Sequence, residues 1–222
     1  MIRTVLRVTL AVAALALASG GAAAGDAGIG ELKAKAEAGD ASAQVKLGEA
    51  LYTGRGIARD PAAAAEWFRK AADQGAPQGL AALGTLTLTG SGVAADSVKA
   101  AELMRLAAEK GSVPASYNLG LMALKGQGMA ADRAQAMAWL RKAADAKYPD
   151  AQYALGLLHV SPDAQPQDGV EAVKWLSLAA THGNAELRGK ALAKIKLISD
   201  AIGSDRTQEG LEAARVWLYS HS

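Results

Sequence analysis

From Ser42 onward, apolar residues fall three, four, seven and eight positions apart, and the same set returns every 36 residues. Leu-Gly occurs at Leu47-Gly48, Leu83-Gly84, Leu119-Gly120 and Leu155-Gly156. Ala-Ala follows in step at Ala71-Ala72, Ala107-Ala108, Ala143-Ala144 and Ala179-Ala180, and one bulky slot holds Trp67, Leu103, Trp139 and Trp175. Asp60, Asp96, Asp132 and Asp168 keep the same register without a gap. Spacing of this kind predicts amphipathic helices, and its long period predicts a stack of identical supersecondary units.

Each unit reads as two helices. The first spans about Ser42 to Thr53, with Ala43, Leu47 and Leu51 or Tyr52 on one face. Gly54-Arg55-Gly56, Gly90-Ser91-Gly92 and Gly126-Gln127-Gly128 end the first helices, since glycine takes the positive φ of a tight connection. Each repeat aspartate then reads as the N-cap of the second helix, with Pro61 at its first position. Ala64, Trp67, Phe68, Ala71 and Ala72 form that helix's buried stripe, and the repeat tryptophans are expected in the core. Glycine at position 48 and its three equivalents predicts a helix crossing too close for a Cβ.

One hairpin cannot bury its stripe alone, whereas stacked hairpins can. The predicted organisation is a capping helix in 25–39, repeats at 40–75, 76–111, 112–147 and 148–183, and capping helices in 184–222. Leu32, Ala36 and Gly39 fall one period before Phe68, Ala72 and Gly75, so the first cap mimics a second helix. At the other end, Glu186 to Ser199 and Thr207 to Tyr219 are helical runs, the latter with Leu211, Ala214, Trp217 and Leu218 as its inner face.

Composition narrows the class further. The 222 residues include 53 alanines, 5% aromatics and no cysteine, which favours close-packed helices and removes disulfides and thiolate chemistry. Residues 1–24 carry Arg3 and Arg7, an apolar run of about a dozen residues and Ala22-Ala23-Ala24, the arrangement of a cleavable signal peptide. Without those two arginines the net charge of +2 falls to zero, and no long basic run remains for nucleic acid. After cleavage no apolar stretch is long enough to span a bilayer.

The motif Ala-Gln-x-x-Leu-Gly at Ala43–Gly48 and Ala151–Gly156, the Gly-x-Gly-Ile/Val loop at Gly54–Ile57 and Gly90–Val93, and Ala-x-x-Trp-x-x-Lys-Ala-Ala at Ala64–Ala72 and Ala136–Ala144 resemble the Sel1-like repeat, a relative of the tetratricopeptide repeat. The resemblance covers about residues 30–200. It implies an all-α, right-handed α-solenoid that displays a concave protein-binding surface, often in exported bacterial proteins, and it implies no activity. The fourth unit departs from the pattern: Ser161 to Pro166 replace the glycine loop, and His159 stands where the family usually has tyrosine.

By analogy with tetratricopeptide arrays, first-helix residues two before and two after the repeat leucine face the concave side. These are Val45, Ala81, Tyr117 and Tyr153, then Glu49, Thr85, Leu121 and Leu157. The slots turn from small or polar to aromatic and leucine in the last two units, an apolar groove suited to a protein or peptide. The same side chains could instead pack between hairpins. The divergent loop at Ser161–Pro166 is a second candidate contact.

Catalytic chemistry is not legible. Ser91 sits in a connector whose other copies hold Arg55 and Gln127, and the repeat aspartates read as caps. His159 and His182, even with Asp163 and Asp168, lack the spacing of a helical zinc pair, and His159 reads as a surface or groove residue. No phosphate-loop or dinucleotide motif is present. The expectation is a non-enzymatic interaction scaffold of the bacterial cell envelope, exported to the periplasm, with no cofactor or metal. It would regulate an envelope signalling or assembly complex. The rival readings are a homo-oligomeric envelope component and a cell-wall hydrolase.

Overall fold

A computed structural model describes residues 27–160 and 166–221. The expected signal segment 1–24 and the residues Ser161–Gln165 of the divergent loop lie outside the described residues. Among the described residues there are eleven helices and no strand. They fall into two compact units that divide after Lys110.

The first unit holds α1 (Ala27–Glu37), α2 (Ala41–Thr53), α3 (Pro61–Asp73), α4 (Pro77–Thr89) and α5 (Ser97–Glu109), each packed on the next. Leu47, Phe68, Ala64, Ala71 and Leu86 form its core with Ala36 from α1. The second unit holds α6 (Val113–Lys125), α7 (Arg133–Asp145), α8 (Pro149–Leu158), α9 (Pro166–His182), α10 (Ala185–Ile202) and α11 (Ser204–Ser220). There α6 to α10 pack in sequence, and α11 leaves the order by packing mainly on α9. One cluster joins Leu140, Leu155, Trp175 and Leu178 to Trp217; a second joins Val173 and Leu176 to Ala191 and Ile198.

Local chemistry accounts for the helix limits. Asp60, Asp96 and Asp132 cap α3, α5 and α7, their carboxylates accepting from amides of the first turn at 2.9–3.0 Å. Gly54, Gly90 and Gly126 end the preceding helices in the left-handed region. The close crossing is also present: a Cβ on Gly48, Gly120 or Gly156 would meet Phe68, Leu140 or Leu176 at 2.6–2.7 Å. At Gly84 the nearest atoms are 3.3 Å away, because the facing residue is the slimmer, more flexible Met104.

Three local expectations are corrected. Asp168 does not cap: without a glycine loop, α9 begins earlier at Pro166 and takes Asp168 into its first turn. Of the two readings of His159, surface or groove, the surface one fails, since its side chain is only 10% exposed beside Asp168. The bulky repeat slot is core only at Trp175. Trp67 and Trp139 are half-buried, with the ammonium groups of Lys70 and Lys142 lying 3.8 and 5.2 Å from their ring centres. The deeply buried slot is the next residue, Phe68, Met104, Leu140 and Leu176.

Candidate protein-binding surface

In the first unit, the four expected surface residues offer little to a partner. Val45 is buried in the core. Ala81 and Thr85 are half-buried, and the Thr85 hydroxyl donates back to the Ala81 carbonyl at 3.0 Å. Glu49 is half-buried too, and burial pushes its carboxyl above the ordinary range against the pull of Lys46 and Arg55.

The second unit is richer. Leu121 is buried, while Leu157 stays half-exposed on α8. Tyr117, on α6, packs against Tyr148 with ring centres 5.2 Å apart at 45°. Burial raises both phenols, that of Tyr117 strongly, and the nearby charge of Asp150 adds to it. Asp150, in the first turn of α8, is itself raised by burial and pulled down by Lys190 on α10. Lys190 also faces Tyr153, which packs beside the cluster of α9 and α10. Lys190 is held by Glu186 at 2.5 Å.

Tyr117, Tyr148, Asp150 and Tyr153, on and beside the first helices of the second unit, therefore share one neighbourhood with Lys190 of α10. It combines half-buried aromatic rings, an exposed carboxylate and an ammonium at its edge. Such a patch suits a ligand with apolar side chains and a cation, which would pair with the exposed Asp150 carboxylate. Sequence spacing singles out Tyr117 and Tyr153 but not Tyr148, Asp150 or Lys190. Tyr148 had a visible signal: it fills the helix-start slot that Asp40 and Ser112 fill as capping residues elsewhere. Lys190 had none, because only folding brings α10 against α8.

The three histidines share no common centre, although His182 and His221 both lie against the Trp217 ring. His182 joins Gln152 through Nδ1 at 2.9 Å, His221 stacks on Trp217 at 4.1 Å, and His159 faces Asp168. Among the described residues no three carboxylate or imidazole groups are placed to hold a metal ion. Among them, too, no helix is long and apolar enough to cross a membrane.

The family model for the Sel1 repeat matches residues 41–75, 77–112, 113–148 and 149–184, well over half of the chain. The chain belongs to the Sel1 repeat family. Proteins built of Sel1 repeats generally serve as protein-interaction scaffolds, and their fold is the all-α solenoid. The crystal structure of a protective antigen of uropathogenic Escherichia coli with an SLR fold is 30% identical, with a TM-score of 0.70. The match covers 85% of this chain but only 40% of the antigen's length. A Sel1 repeat protein from Oxalobacter formigenes is 27% identical, with a TM-score of 0.67 over 87% of this chain and 77% of that one. A sel1 repeat protein from Klebsiella pneumoniae is 26% identical, with a TM-score of 0.55, covering 86% and 92% of the two chains. No curated protein matches.

Proposed function

We propose that this Sel1 repeat protein is an exported, non-catalytic scaffold of the bacterial envelope. It binds a protein or peptide on the first helices of its third and fourth repeats. The observation that carries the reading is the patch of Tyr117, Tyr148, Asp150 and Tyr153, bordered by Lys190. The ligand it fits is a segment with apolar side chains around one lysine or arginine. Helices hold the patch before binding, so little ordering entropy is lost on association. Export rests on the basic and then apolar character of residues 1–24. Regulation of an envelope signalling or assembly complex would follow from occupancy of this patch.

Two experiments test the reading. A photocrosslinking residue at Tyr153, used in an envelope extract, should trap a discrete protein, and Tyr117→Ala with Asp150→Ala should lose it. Products that contain only this chain would assign the patch to self-association instead. Residues 1–24 fused to a reporter that is active only outside the cytoplasm should give activity, and an inactive fusion would refute export.

A further inference from the structure

The second helices of the four repeats share an outer face whose slots recur at i, i+4 and i+8. In α3 they hold Ala62, Glu66 and Lys70; in α7, Ala134, Ala138 and Lys142; all six are exposed. In α9 the slots hold Val170, Lys174 and Leu178, and here the valine and leucine are 3% and 0% exposed. The difference is α11, which packs along this face. Its Ala214 and Trp217 share a cluster with Leu178, and its backbone at Gly210 lies so near Val170 and Val173 that a Cβ would sit 2.7 Å from them. Lys174 shares the edge of this contact with Glu209 and Glu212.

The second repeat carries the same apolar pair without the cover. Val98 and Leu106 on α5 are 57% and 45% exposed, and no other second helix exposes a large apolar side chain among the described residues. The slot between them is Glu102, where α9 has Lys174. A helix of the α11 kind would meet this face with the same shape but with the wrong sign, because Glu209 and Glu212 would approach Glu102. The face therefore suits a helix with reversed charge, and disfavours α11 from a second copy.

We propose that Val98, Glu102 and Leu106 form a second docking site, which takes an amphipathic helix of a partner protein. That helix carries small residues at i and i+4, an aromatic at i+7, as Gly210, Ala214 and Trp217 do, and lysine or arginine facing Glu102. The site lies on α5 in the first unit, shares no residue with the tyrosine patch and does not depend on it.

The probe is a peptide of residues 204–220 with Glu209→Lys and Glu212→Lys, stapled on its outward side to hold the helix and labelled for fluorescence anisotropy. The intact chain should bind it saturably and at least tenfold more tightly than the stapled peptide of unchanged sequence. Val98→Ala with Leu106→Lys installs the residues that α3 carries in these slots, so folding is kept, and binding should fall at least tenfold. Glu102→Lys should invert the preference between the two peptides. The tyrosine-patch variant should bind as the wild type does. Absent saturable binding, or binding indifferent to both α5 variants, would overturn the proposal. Tighter binding of the unchanged peptide would also overturn it and give the face to a second copy's α11.

Discussion

Gln152 and His182 are joined by a 2.9 Å hydrogen bond between the amide oxygen and Nδ1. The Gln152 amide nitrogen donates to the Ala144 carbonyl at 3.0 Å, which satisfies an end carbonyl of α7 and leaves the oxygen to accept. His182 is thereby held as the Nδ1–H tautomer. The first repeat makes the same linkage from different residues: Gln44 donates to the Ala36 carbonyl at 3.1 Å and accepts from Gln74 at 2.7 Å. Gln152 is fully buried, so Gln152→Leu should strand the Ala144 carbonyl and the imidazole and cost about 1–3 kcal/mol in denaturant unfolding.

Two imidazoles predict an acid-side loss of stability. Burial lowers His182, and Lys147 lowers it further. Burial also lowers His159, although Glu171 and Asp168 work the other way and Arg141 assists the burial. Both groups bind protons more weakly folded than unfolded. Stability is therefore full above the ordinary histidine value of 6.5 and falls as pH drops from there toward the folded values. His182→Gln, which restores the side chain found at Gln74, and His159→Leu, which restores that at Leu51, should each flatten the slope measured between pH 7 and 5. His159→Leu should also raise stability at neutral pH by about 1 kcal/mol, since the buried Nε2 has no hydrogen-bond partner.

The two glycines at equivalent crossings should respond differently to alanine. In Gly120→Ala the new Cβ would meet the buried Leu140 at 2.7 Å, and a loss of about 1–3 kcal/mol is expected. Gly84→Ala meets nothing nearer than 3.3 Å and gains about 1 kcal/mol of helix propensity, so it should be close to neutral. Equal losses in thermal unfolding would contradict the close-crossing account.

Lys147 holds φ at +61°, in the slot where Gly39, Gly75 and Gly111 hold +96°, +76° and +91°. Lys147→Gly should relieve about 1–2 kcal/mol of left-handed strain and lose about 0.5–1 kcal/mol to greater chain entropy when unfolded. A net change between neutral and a gain of about 1.5 kcal/mol in chemical denaturation is the expected result.

Asp132 and Asp168 share a repeat slot but not a role. Asp132→Ala should cost about 1 kcal/mol through the lost bond from the Gln135 amide, with ligand binding unchanged. Asp168→Ala, inside the first turn of α9, should instead lower the His159 titration midpoint in NMR, because Asp168 favours the imidazolium.

What the sequence disclosed followed its periodicity. A side chain that repeats every 36 residues meets the same neighbours in each hairpin, so Gly48 and its equivalents, the connecting glycines and the caps at Asp60, Asp96 and Asp132 were legible. Periodicity fails where a neighbour is not repeated. Trp175 is buried and Trp139 is half-exposed, because α11 packs mainly on α9. Asp168 lost its capping role when the fourth connector lost its glycines. The aromatic patch was half legible: Tyr117 and Tyr153 stand in a repeat slot, whereas Tyr148, Asp150 and Lys190 join them only through the packing of α6, α8 and α10.

The left-handed glycines at 39, 75 and 111 have an evolutionary consequence. Each join between hairpins presents nearly the same backbone turn, so a segment of 36 residues can be duplicated or excised in frame without creating a novel seam. Gene slippage can then alter repeat number while each surviving hairpin keeps its own cap, connector and crossing, and selection can act on array length separately from the residues that recognise a ligand.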